Sequence, residues 1–145
     1  MDQMLAATRD SGQLEAGGIL VGRYEQEGQL AVITDASTKT SDARAGRTWL
    51  HRGTAGLRKW LAKLWCRRQG HYVGEWHSHP FASPQPSATD LRQMQSVAAS
   101  AIYSCREPIL VIIGGNAAAR HELSVHVVLA SGATFKLSAL YPQSH

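Results

Sequence analysis

The chain has 145 residues, 43% hydrophobic and 18% charged, with a formal net charge of +4. This suits one soluble globular domain over residues 1–145, large enough to bury a core. No apolar run approaches the ~20 residues of a membrane span, and so mild a charge does not by itself argue for nucleic acid.

The opening Met1-Asp2-Gln3-Met4-Leu5 lacks the basic and apolar regions of a secretory signal. Cys66 and Cys105 belong to no Cys-x-x-Cys pattern. They read as reduced thiols of a cytoplasmic protein.

Residues 2 to about 12 read as a short helix, with Met4, Leu5 and Thr8 at helical spacing and Gly12 as a stop. Leu14-Glu15-Ala16-Gly17-Gly18-Ile19-Leu20-Val21-Gly22 follows. Its glycine pair permits close backbone approach, and Ile19 to Val21 reads as a buried strand. Gly-x-Gly-x-x-Gly is absent, so no dinucleotide site is read. Residues 19–25 and 29–35 pattern as a hairpin turning at Glu27-Gly28. Residues 36–48 are small and polar and read as a mobile loop, either lining a substrate groove or merely connecting. Trp49 to His51 suits a short strand.

Residues 54–69 carry the clearest helical pattern. Leu57, Trp60, Leu61, Leu64 and Trp65 fall on one face; Arg58, Lys59, Lys63 and Arg67 fall on the other. A solvated basic face explains the cations better than a dock for an acidic partner.

Residues 71–79 (His71-Tyr72-Val73-Gly74-Glu75-Trp76-His77-Ser78-His79) read as a strand that Pro80 ends. Residues two apart on a strand point the same way, so His77 and His79 share a face and Ser78 takes the other. A loop with two further prolines leads to Ser87, which opens a helix with Asp90 in its first turn. Two imidazoles and one carboxylate make the three N/O ligands of a catalytic zinc site, with a water as fourth ligand. Such a water loses its proton near pH ~7. The site then needs a base and an oxyanion donor. Ser87 is a candidate donor. Each piece has a plainer reading: Ser87 to Asp90 also fits a helix capping box, and an acid suits the first turn in any case.

The helix continues over residues 87–104, with Leu91, Met94, Ala98, Ala101, Ile102 and Cys105 as its buried stripe. Residues 108–113 are continuously apolar and read as a central strand covered on both faces. Gly114-Gly115-Asn116 reads as a turn, and residues 122–130 and 134–140 as strands joined at Ser131-Gly132-Ala133. His51, His71, His121, His126 and His145 have no partners at ligand spacing and read as structural. The element order gives an α/β (α+β) fold, a curved mixed sheet flanked by helices.

The joint pattern His77-Ser78-His79, seven residues, Ser87, two residues, Asp90 resembles the motif of the JAMM (MPN+) metallopeptidases. The wording Gly74-Glu75-Trp76-His77-Ser78-His79-Pro80 is similar to the bacterial JAB branch. That resemblance implies an MPN fold over residues 14 to 140 and one Zn²⁺ per chain held by His77, His79 and Asp90. It implies that Glu15, just before a Gly-Gly-x-Leu strand, is the general base and then the general acid. Ala16 departs from the threonine common at that place. It implies hydrolysis of an amide joining a ubiquitin-like or other conjugated protein's C-terminal tail to its target. In antiphage operons such as CBASS and Bil, relatives do this opposite E1- and E2-like partners. Processing of a ubiquitin-like or sulfur-carrier precursor is an alternative.

Two other classes compete. A non-catalytic MPN scaffold would lack the ligands, which this chain keeps. A two-His-one-carboxylate iron oxygenase would leave Glu15 and Ser87 without a role. A zinc deaminase would need Pro-Cys-x-x-Cys, which is missing.

Overall fold

A computed structural model describes residues 1–68, 70–115 and 121–141. In chain order it contains α1 (Asp2–Ser11), β1 (Gly17–Glu25), a 3₁₀ turn (Gln26–Gly28), β2 (Leu30–Ala36), β3 (Arg44–Ala45), β4 (Leu50–His51) and α2 (Leu57–Arg68). There follow β5 (His71–Pro80), α3 (Ala88–Ala99), β6 (Ile109–Gly115), β7 (Glu122–Val128) and β8 (Thr134–Leu137). Six strands form one sheet in the order β2-β1-β5-β6-β7-β8, while β3 and β4 pair separately as a small flap. β5 and β6 run parallel, with α3 in the connection; the other neighbours are antiparallel. The mixed sheet flanked by three helices matches the sequence expectation.

β6 shows why its sequence lacks alternation. Ile109, Val111 and Ile113 pack with Met4, Leu20, Val73 and Trp76 on the α1 face. Leu110 and Ile112 pack with Met94 and Val128 beneath α3. Both faces are covered, so each position is apolar. Ile19, Val21 and Leu57 form a third cluster, with Trp60, Leu61, Leu64 and Tyr72 against it under α2.

β5 carries a bulge. Leu20 and Val21 of β1 pair with Gly74 and Tyr72, so Val73 is an extra residue. It reverses the alternation, which places Tyr72 on the same face as Glu75. Gly74 sits there with its backbone against Ile109, leaving no room for a Cβ.

Several expectations need correction. α3 ends at Ala99 because Ser100 is extended (φ −87°, ψ 124°), so the helical phase stops. Ile102, expected in the buried stripe, is 92% exposed, and Ala101 is exposed too, whereas Cys105 is buried. Trp65 is half exposed and lies against the His71 ring, with centroids 4.5 Å apart. α2 begins at Leu57 rather than 54, and its expected end at Gln69 lies outside the described residues. So do Asn116 of the expected turn and His145; Gly114 and Gly115 continue β6.

The 36–48 segment is not a loose loop. The Ser37 hydroxyl accepts from Ile19 N at 2.8 Å, and its carbonyl accepts from Trp76 Nε1 at 2.8 Å. The Asp42 carboxylate accepts from the backbone of Thr54 and Ala55, each at 2.9 Å. These bonds hold the flap over the sheet. No helix among the described residues is long and apolar enough to cross a membrane.

Candidate metal centre

β5 ends at the middle of the sheet and turns sharply. Phe81 takes a left-handed conformation (φ 60°), uncommon for a bulky residue. Its N–H donates to Gly115 O at 3.1 Å, and Gly115 N donates to Ala82 O at 2.9 Å, tying the turn to β6. The chain then crosses to Ser87 and α3 returns over the sheet.

The turn brings three ligand atoms together. His77 Nε2 lies 3.1 Å from His79 Nε2. Asp90 Oδ1 lies 3.4 Å from His77 Nε2, and Oδ2 lies 3.5 Å from His79 Nε2. One atom from each residue falls within 4.8 Å of the others, so the group could hold a metal ion. All three side chains are mostly buried yet open to a cavity.

The orientation of each ligand has a cause. His79 Nδ1 lies 3.1 Å from the Ser83 carbonyl. A carbonyl only accepts, so Nδ1 carries the proton and Nε2 offers its lone pair to the centre. Asp90 is fixed by a capping box. Ser87 N donates to Asp90 Oδ2 at 2.7 Å, and Asp90 N donates to Ser87 Oγ at 3.1 Å. Burial alone would raise the Asp90 carboxyl. Hydrogen bonds from His77 and His79, the charge of His77 and the Ser87 amide hold it well below the usual carboxylate range.

Glu15 lines the same cavity, of about 480 Å³, as His77, His79, Ser87 and Asp90. The structure thus gathers all five residues expected from the sequence. Glu15 is buried, and this desolvation raises its carboxyl above the ordinary value; the nearby His77 and His79 oppose the rise and Asp90 adds to it. Its backbone is held from both sides. Glu15 N donates to Gly46 O of the flap at 2.8 Å. Next to it, Ala16 N donates to the buried Ser78 Oγ at 2.9 Å, and Ser78 N donates to Ala16 O at 2.8 Å. Sequence reasoning assigned Ser78 only a face, so this tie went unseen.

The same cavity is lined by Arg47, Thr48 and Trp49 of the flap, so part of the 36–48 segment borders it. Leu50 of β4 presses on Gly17, where an added Cβ would run into the Leu50 side chain and lie 2.6 Å from Trp76 O. A second cavity of about 580 Å³, between α1 and residues 36–45, shares Glu15 and Leu50 with the first.

Comparison with known proteins bears on this site. A protein named "CD-NTase/cGAS isopeptidase" from Enterobacter hormaechei subsp. hoffmannii is 43% identical over 127 residues, 88% of this chain and 70% of that protein. One of the same name from Escherichia coli is 34% identical over 70% of this chain, which spans 62% of that relative's length. The fold is shared with a solution structure of a protein from Salinibacter ruber. It is 23% identical with a TM-score of 0.64, over 98% of this chain and 87% of that one. Residues 1–128 match the family described as prokaryotic homologs of the JAB domain, and to that family this chain belongs.

Proposed function

We propose that the chain is a zinc-dependent isopeptidase of the cytoplasm. It hydrolyses the amide that joins a conjugated or ubiquitin-like protein's C-terminal tail to its target, in antiphage defence alongside E1- and E2-like partners. Relatives named as CD-NTase/cGAS isopeptidases support the substrate class. The observation that carries the reading is the triad of ligand atoms with Glu15 on the same cavity.

Zinc fits the donors. Tetrahedral coordination with bonds of ~2.0–2.1 Å places ligand atoms about 3.3 Å apart. The two imidazole nitrogens lie 3.1 Å apart, each has one Asp90 oxygen at 3.4 or 3.5 Å, and one atom from each residue falls within 4.8 Å of the others, a spacing that an ion can draw in to that value. A zinc ion bound there would polarise the scissile carbonyl and lower the pKa of a water to about 7.

The chain's own groups then have defined tasks. Glu15, with its carboxyl raised by burial, accepts the proton from the attacking water and returns it to the leaving amine nitrogen. Ser87 Oγ accepts from Asp90 N, which leaves its own O–H free to donate to the oxyanion. Ser78 and Gly46 fix Glu15 between β5 and the flap.

The test is cleavage of a purified conjugate in which a CD-NTase is joined through its C-terminus to a lysine. Zinc-loaded protein should release both halves, and Glu15→Gln protein should release neither. Protein that takes up no zinc and cuts nothing would favour the non-catalytic scaffold.

A further inference from the structure

Glu75 is a buried carboxylate two residues before His77, on the same face of β5. It receives three hydrogen bonds from three parts of the fold. Arg52 Nη2 donates to Oε1 at 3.0 Å, and the Tyr72 hydroxyl donates to the same oxygen at 3.2 Å. Gln93 Nε2 donates to Oε2 at 2.9 Å.

Each donor reports on a different segment. Gln93 stands three residues after Asp90, so both side chains leave α3 toward β5. Glu75–Gln93 and His77/His79–Asp90 are therefore successive rungs between the same strand and helix. Arg52 directly follows β4, the outer arm of the flap. Its side chain is only 15% exposed, its Nε is buried with no hydrogen-bond partner among the described residues, and Glu75 pairs with its Nη2 at 3.0 Å and so balances this charge. The flap in turn supplies the Gly46 carbonyl that holds Glu15 N. Tyr72 reaches Glu75 because the β5 bulge puts both on one face.

A buried ion pair contributes little net stability compared with apolar residues of the same volume. What this one supplies is direction: one carboxylate, bonded to the flap by one oxygen and to α3 by the other. We propose that Glu75 is a positioning residue that locks the two halves of the site together. Through Arg52 it sets the flap and hence Glu15; through Gln93 it sets α3 and hence the Asp90 carboxylate. The roles of Glu15 and Asp90 rest on the function proposed above, but the mechanical link does not.

The two arms separate experimentally without substrate. The pair is removed together in Arg52→Met/Glu75→Gln, which strands no charge and leaves an amide to bond Gln93. Hydrogen exchange of the Glu15 amide, which donates to the flap, should quicken about tenfold or more against an unchanged core. Zinc affinity, read by chelator competition, should stay within about twofold. Gln93→Met should do the reverse, weakening zinc ~10-fold with Glu15 exchange unchanged. Arg52→Lys, which keeps the charge, should restore most of the Glu15 protection. On a cleavable conjugate the double variant should lose kcat with KM kept. Wild-type exchange and wild-type zinc affinity in both variants would overturn the proposal, as would exchange that quickens uniformly across the sheet. If the double variant does not fold, Arg52→Leu/Glu75→Gln, which also strands no charge, carries the same two readouts. A conjugate that no form of the protein cuts would sink the isopeptidase reading and leave the exchange and zinc results standing.

Discussion

Ser87 and Asp90 hold each other twice. Ser87 N donates to the Asp90 carboxylate at 2.7 Å, and Asp90 N donates to Ser87 Oγ at 3.1 Å. The same carboxylate faces both imidazoles. Capping box and candidate ligand triad, which compete as readings of the sequence, are compatible in one arrangement: the cap fixes the rotamer that aims the carboxylate at the imidazoles.

Replacing Ser87 by Ala should therefore act on two observables. Losing a helix cap costs about 1 kcal/mol, readable by urea unfolding of the metal-free protein. Losing an oxyanion donor lowers turnover by ~10²–10³. Zinc should still bind, because both histidines and Asp90 remain. Wild-type turnover in this variant would exclude the hydroxyl from the chemistry.

Glu15→Gln should abolish cleavage while keeping zinc, and it should not weaken the metal-free fold at neutral pH. The folded-state pKa of Glu15 is raised by burial. The native state thus binds more protons than the unfolded state above the ordinary carboxyl value, and stability falls as pH rises through that window. A neutral amide escapes that loss. Thermal unfolding at acid and neutral pH, wild type against variant, checks the sign; a variant markedly less stable at neutral pH would contradict it.

Zinc should compete with protons at His79. Hydrogen bonding to Asp90 raises the His79 pKa in the metal-free protein; burial opposes the rise, and the Ser83 carbonyl and the charges of Asp90 and Glu15 add to it. In that state the protonated imidazole stabilises the fold below the ordinary histidine value of about 6.5. The contribution is lost as pH rises through the raised folded value. Metal uptake must expel this proton, so affinity should weaken as pH falls and binding should release protons. Calorimetry in buffers of different ionisation enthalpy reads the release directly. Uptake with no proton exchange near neutral pH would rule the competition out.

Ser78→Ala should be costly despite the small change. The hydroxyl is fully buried and accepts from Ala16 N at 2.9 Å. Its removal leaves a buried N–H without that partner, at about 1–3 kcal/mol. Because Ala16 adjoins Glu15, kcat should fall with zinc affinity unchanged. Chemical denaturation and turnover below the unfolding temperature separate the two effects.

The grouping of His77, His79 and Asp90 was legible because it is local. Strand alternation places His77 and His79 together, and the following helix start delivers Asp90. The continuous apolar run of β6 likewise announced a strand covered on both faces. Long-range ties left no such mark. Nothing in the sequence pairs Ser78 with Ala16 or Arg52 with Glu75, and the Val73 bulge inverts the face on which alternation places Tyr72. Gly74 was the available signal, since a glycine inside a strand often marks a bulge. Ile102 misled for the opposite reason: a helical apolar period persisted in the sequence after Ser100 had left the helix.

The three candidate ligands come from β5 and the helix that follows it, closing a short stretch of chain. Glu15 must arrive from the segment leading into β1, far earlier in the sequence. Loop-closure entropy favours the short contact first. On the proposed reading, a chain still folding would be able to grip an ion before Glu15 reached it, so the late docking of β1 would serve as the step that arms the site.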